Sequence, residues 1–65
     1  MHHTLDVAGG DVHEFDVSGE TYADLLAEVG VSPHEVAVLV DGRPVPEDRP
    51  VDEERARVVR MVAGG

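Results

Sequence analysis

No cysteine occurs in this 65-residue chain. Disulfides and thiolate metal sites are therefore excluded as supports for the core. Apolar packing must hold the fold unaided, at a size where folding buries only about 60% of the unfolded surface. Lysine is also absent. The cationic side chains are Arg43, Arg49, Arg55, Arg57 and Arg60, set against 14 acidic residues, for a net charge of −9. Phosphate binding needs a basic patch, so this balance argues against nucleic acid as a direct partner. It suits a partner with a basic docking surface. Acidic excess without lysine, together with abundant Ala, Val, Asp and Gly, also reads as adaptation to high salt. No apolar run approaches the roughly 18 residues that span a bilayer. The opening MHHTLDVAGG lacks the basic-then-apolar pattern of a secretory signal. A soluble, cytoplasmic, monomeric domain is the expectation.

What is present is a series of short elements. In HTLDV, Leu5 and Val7 alternate; in DVHEFDV, Phe15 and Val17 share a face while Val12 is out of step. The intervening AGGD, with Gly9 and Gly10 free to take positive φ, predicts an antiparallel hairpin. Tyr22, Leu25, Leu26 and Val29 fall at i, i+3, i+4 and i+7, the stripe of a helix of about nine residues. Thr21 is its expected N-cap, Asp24 suits its N-terminal dipole, and Gly30 is placed to stop it. VAVLV, Val36 to Val40, is a β-branched strand ending at Asp41-Gly42, a two-residue hairpin signal. Pro44 and Pro46 confine the return strand to a short edge piece. PEDRPVDEE reads as a polar loop in which the run Asp52-Glu53-Glu54 is solvated, and RARVVRMV, Arg55 to Val62, as the last strand.

The order is thus strand, strand, helix, strand, short strand, strand, with no repeat and no second helical pattern. One helix must cover one face of a small sheet. The expected fold is α+β: a β-grasp, with a mixed four- to five-stranded sheet and one short helix packed on one face. The domain is expected to run over residues 1–62, with 63–65 as a flexible tail. On the third strand Val36, Val38 and Val40 share the inward face and Leu39 projects outward. On the last, Ala56 and Val58 point in, and Val59 and Met61 point out. Leu39 and Val59 are expected to form an exposed apolar patch near the tail, a partner-binding surface to which Met61 and Arg60 would add.

TYADLL, then SPHEVAVLVDGRPVPED, then a basic-apolar strand ending in Gly64-Gly65, resembles the small archaeal modifier proteins, ubiquitin-like proteins of archaea, and most of all those of haloarchaea. The resemblance covers Thr21 to Gly65. It implies that the Gly65 carboxylate is adenylated with ATP by a ubiquitin-activating-type enzyme. The activated end then forms an isopeptide bond with a target lysine, or becomes a thiocarboxylate that delivers sulfur for tRNA thiolation or molybdopterin synthesis. The sulfur carriers of the molybdopterin and thiamine pathways share this fold and ending. The chain is then no enzyme but a substrate or carrier, with no catalytic residue and no bound cofactor of its own.

The residue chemistry agrees. A carboxylate that must enter another protein's active site needs a thin, extended tail, and Gly64 and Gly65 supply one without Cβ atoms. Ubiquitin-type chains grow on the modifier's own lysines; this chain has none, which leaves the Met1 α-amine as the one acceptor for a second copy. A third reading, a β-grasp interaction module with incidental glycines, requires that deleting Gly64 and Gly65 change nothing. No metal site is expected. His2 and His3, adjacent on a strand, point to opposite faces and make a poor chelating pair, and His34 in SPHE is assigned a local capping or loop hydrogen bond.

Overall fold

The structure, a computed structural model, describes residues 1–61. Strands β1 (His2–Val7), β2 (Val12–Asp16), β3 (Val36–Val40), β4 (Arg43–Val45) and β5 (Arg55–Arg60) form one mixed sheet in the order β2-β1-β5-β3-β4. Helix α1 (Tyr22–Glu28) and a single 3-10 turn (Pro33–Glu35) fill the connection between β2 and β3. This is the expected β-grasp, with five strands. The first and last strands run parallel side by side in its centre, Leu5 opposite Ala56 and Val7 opposite Val58.

Local chemistry accounts for the element boundaries. In the first hairpin the Gly10 amide donates to Val7 O at 2.9 Å, closing a tight turn. Only Gly9 of the two glycines takes positive φ, at 76°. At the second hairpin both Asp41 (φ 52°) and Gly42 (φ 77°) are left-handed, the type I′ pattern that matches the twist of the flanking strands. The helix opens on a reciprocal capping box: the Asp24 amide donates to Thr21 Oγ1 at 3.2 Å, and the Thr21 amide to Asp24 Oδ2 at 2.9 Å. It closes in a Schellman arrangement, Gly30 N to Ala27 O and Val31 N to Leu26 O, with Gly30 at φ 76°. The helix therefore has seven residues rather than about nine, because Val29 already serves as its C-cap. The last strand ends at Arg60 rather than at Val62; Val62 and the expected 63–65 tail lie outside the described residues.

The core is a single cluster between the sheet and the helix. Leu5, Tyr22, Leu26 and Val58 are its most buried large side chains, joined by Leu25, Val38, Ala56 and Val51. Val51 belongs to the segment 46–54, a loop as expected. Its acidic side chains Asp52, Glu53 and Glu54 are exposed, but its backbone is tied on two sides. Glu47 O and Arg49 O accept from the amides of Ala23 and Tyr22 in the first turn of the helix, and Glu54 O accepts from Thr4 N. The segment thus satisfies helix amides that have no partner within the helix.

His3 also belongs to the core. It is fully buried, facing inward beside Leu5 on the same pleat. Its Nδ1 lies 2.6 Å from Glu53 O; a carbonyl only accepts, so Nδ1 carries the proton. The ring meets Tyr22 edge-on with centroids 5.8 Å apart. The Tyr22 hydroxyl is buried with no hydrogen-bond partner among the described residues. Burial pushes its pKa up, the Asp52 and Glu53 carboxylates add to that shift, and Arg49 opposes it.

Candidate functional site: the helix-free face and the end of the last strand

The sheet has one face against the helix and one without. Registered partners lie on the same side of a sheet. The pairs Ala37–Val59 and Leu39–Arg57 across β3 and β5, and Thr4–Arg55 and Asp6–Arg57 across β1 and β5, therefore place all these side chains on the helix-free face. Leu39 and Val59 are diagonal neighbours there. Both are half-buried rather than projecting freely into solvent as expected for Leu39, because adjacent strands on a pleated surface cover part of each other's side chains. Among the described residues the large apolar side chains that are exposed are Met1, Val12 and Met61, the last at 54%.

Arg60 stands apart from this set. Its register partner is Val36, which is buried on the helix side. Alternation therefore turns Arg60 toward the opposite face from Leu39 and Val59. Met61 follows directly, its amide donating to Glu35 O at 2.8 Å. That bond anchors the point at which the chain leaves the sheet, beside the 3-10 turn. The four side chains grouped by sequence thus divide: Leu39 and Val59 together on one face, Arg60 on the other, and Met61 exposed past the strand end. Gly64 and Gly65 lie outside the described residues.

Two shallow concavities flank this region. One, of about 230 Å³, is walled by Leu39, Asp41, Gly42, Arg55, Ala56 and Arg57. The other, of about 500 Å³, lies at the β4 edge between Arg43, Val45, Arg49 and Glu53. Sequence reading did not single out Arg55 or Arg57. The signal for them was available in their i, i+2 spacing on a strand whose alternate residues Ala56 and Val58 are core. His2 and His3 point to opposite faces as expected: His2 is exposed, with Nε2 2.7 Å from Glu14 Oε1, and His3 is core. His34 is exposed, and its side chain makes no hydrogen bond among the described residues, contrary to the capping role expected of it. Among the described residues no three His, Cys, Asp or Glu side chains are grouped to hold a metal ion, and no helix is long and apolar enough to cross a membrane.

A five-stranded mixed sheet of this order with one short helix is shared with known proteins. The family model described as small archaeal modifier protein 2 matches residues 1–62. The small archaeal modifier protein 2 of Haloferax volcanii is 52% identical over 66 residues, covering 100% of both chains. Its crystal structure superposes with a TM-score of 0.71 at 50% identity, covering 97% of each chain. An uncharacterized protein of Archaeoglobus fulgidus is 36% identical over 52 residues, 80% of this chain and 78% of that one. With a family match over nearly the whole chain and a full-length relative at this identity, the chain belongs to the small archaeal modifier protein 2 family of ubiquitin-like proteins.

Proposed function

We propose that this chain is a protein modifier whose Gly65 carboxylate is adenylated by an ATP-dependent activating enzyme and then joined through an isopeptide bond to lysines of target proteins. Family membership over the full length carries this reading, because the match includes the region that leads into Gly64-Gly65. The chemistry is undemanding of the chain itself. A free carboxylate is a poor electrophile; adenylation supplies a leaving group, and the target amine then displaces it. The chain contributes a thin glycine terminus and a docking face. Leu39 and Val59 on the helix-free face, with Met61 at the strand end, are the surface assigned to the activating enzyme. Arg60, on the other face, would contact a separate lip of that enzyme.

The same activated end can accept sulfur and act as a thiocarboxylate carrier for tRNA thiolation or molybdopterin synthesis. The two roles share every residue named above, so the product distinguishes them. Protein recovered from its native cells is examined by intact mass and for Gly-Gly remnants on lysines. Remnants on other proteins establish conjugation, and exchange of oxygen for sulfur at the free terminus establishes the carrier role. Gly65→Ala is expected to leave the far-UV circular dichroism spectrum unchanged and to reduce both products sharply. If either product persists at undiminished level in that variant, the glycine at position 65 is not what activation requires.

A further inference from the structure

All the arginines lie at or beyond Arg43, so the first two strands and the helix carry only acidic fixed charge. In a chain with 14 acidic residues an arginine has many internal partners to choose from. Arg49 takes one, Asp52 at 3.5 Å. Arg43, Arg55, Arg57 and Arg60 form no ion pair among the described residues. Arg55 and Arg57 are two residues apart on β5 and share the helix-free face. Asp6 is registered beside Arg57 on β1, and Asp41 lines the same notch, yet neither closes an ion pair with an arginine. Both arginines are exposed, and with the half-buried Leu39 they frame the 230 Å³ notch.

We infer that this notch docks an acidic segment of a partner protein, with an apolar side chain against Leu39 and a neighbouring carboxylate received by Arg55 and Arg57. The inference rests on the docking-face reading above and not on the chemistry of the tail. It runs against net charge: at −9 the whole molecule repels an acidic partner at long range and attracts a basic one. Contact and long-range terms respond differently to salt. At molar salt the screening length falls to about 3 Å, so long-range repulsion is lost. A guanidinium–carboxylate pair bonded at about 2.8 Å is within that length and is retained. Two unpaired arginines on an otherwise acidic surface are matched to a partner that is itself acidic, in a medium where only contact counts.

The test is an amide chemical-shift titration of the full chain with three synthetic peptides. One alternates glutamate with leucine, one has glutamine in place of glutamate, and one has lysine there; each is measured in dilute buffer and in molar KCl. The glutamate peptide is expected to give saturable shifts at Leu39, Gly42 and Arg55 to Arg57, with affinity held or raised by KCl. Arg57→Gln and Arg55→Gln should each weaken it about tenfold, the worth of one charge-assisted contact. Asp41→Asn, which keeps a residue tolerant of positive φ, should strengthen it. The inference is overturned if the lysine or glutamine peptide binds this notch as tightly in molar KCl, if the shifts map elsewhere, or if the arginine variants bind unchanged. Since no step involves Gly65, these failures leave the conjugation reading standing. A failed Gly65→Ala experiment likewise leaves the peptide result intact.

Discussion

Tyr22 is the only tyrosine in the chain, and it is almost fully buried, at 1% exposure. Its hydroxyl has no hydrogen-bond partner among the described residues. A buried, unpaired hydroxyl costs free energy that its removal returns. Tyr22→Phe is therefore expected to be as stable as the parent at pH 7, or more stable by up to about 1 kcal/mol, in urea denaturation. Because burial raises the folded-state pKa above the unfolded value of 10.0, the neutral phenol's contribution is fully present below that pH. It is lost as pH rises through the folded value. The parent should lose stability above about pH 10, and Tyr22→Phe should lose less. Equal alkaline sensitivity in the two proteins would show that other groups govern that limb.

The elements owe their ends to side chains and backbone angles that single substitutions can address. Thr21→Ala removes the acceptor of the Asp24 amide and is expected to cost about 1 kcal/mol. At Gly30 a Cβ would meet nothing within 4 Å, so Gly30→Ala isolates the strain of φ 76° and should cost about 1–2 kcal/mol. Denaturant midpoints of the two variants and their combination check both values. The helix was legible from sequence because its stripe, cap and stop are all local. The second hairpin was legible because Asp-Gly names its turn. The segment 46–54 was not, since its role as a strap depends on helix amides and on Thr4, none of which is a sequence neighbour. That His2 and His3 face opposite ways was legible from strand alternation; that His3 is the buried one was not, because a histidine in the core requires an acceptor, and Glu53 O is fifty residues away.

For the whole molecule, charge is the dominant property. Self-repulsion at −9 opposes compaction, and in a domain this small little burial offsets it. Far-UV circular dichroism should therefore show folding that strengthens with KCl; full folding in dilute buffer, unchanged by salt, would contradict adaptation to high salt. The absence of lysine adds a functional expectation. The one remaining amine, at Met1, already donates to Val17 O at 2.9 Å and to Asp16 Oδ1 at 3.2 Å, while Val17 N donates back to Met1 O at 2.8 Å. Conjugated targets should carry single copies, at one lysine or at several, rather than chains. A Gly-Gly remnant at any position of this protein other than its N-terminus would contradict that.

Much was determined by the sequence alone. The hairpin turns, the helix with its two ends, the edge position of β4 imposed by Pro44, the acidic charge and the Gly-Gly ending all follow from residues a few positions apart, where steric and hydrogen-bonding preferences act directly. The tertiary structure decided what depends on distant segments meeting. It paired β1 with β5 in parallel at the centre of the sheet, drew Val51 and His3 into the core, and turned Arg60 away from Leu39 and Val59. It also brought Arg55 and Arg57 beside Leu39 on the open face. A one-residue change of register would reverse the facings of the strand residues among these, and register between strands far apart in the chain is set by the packing of the whole core.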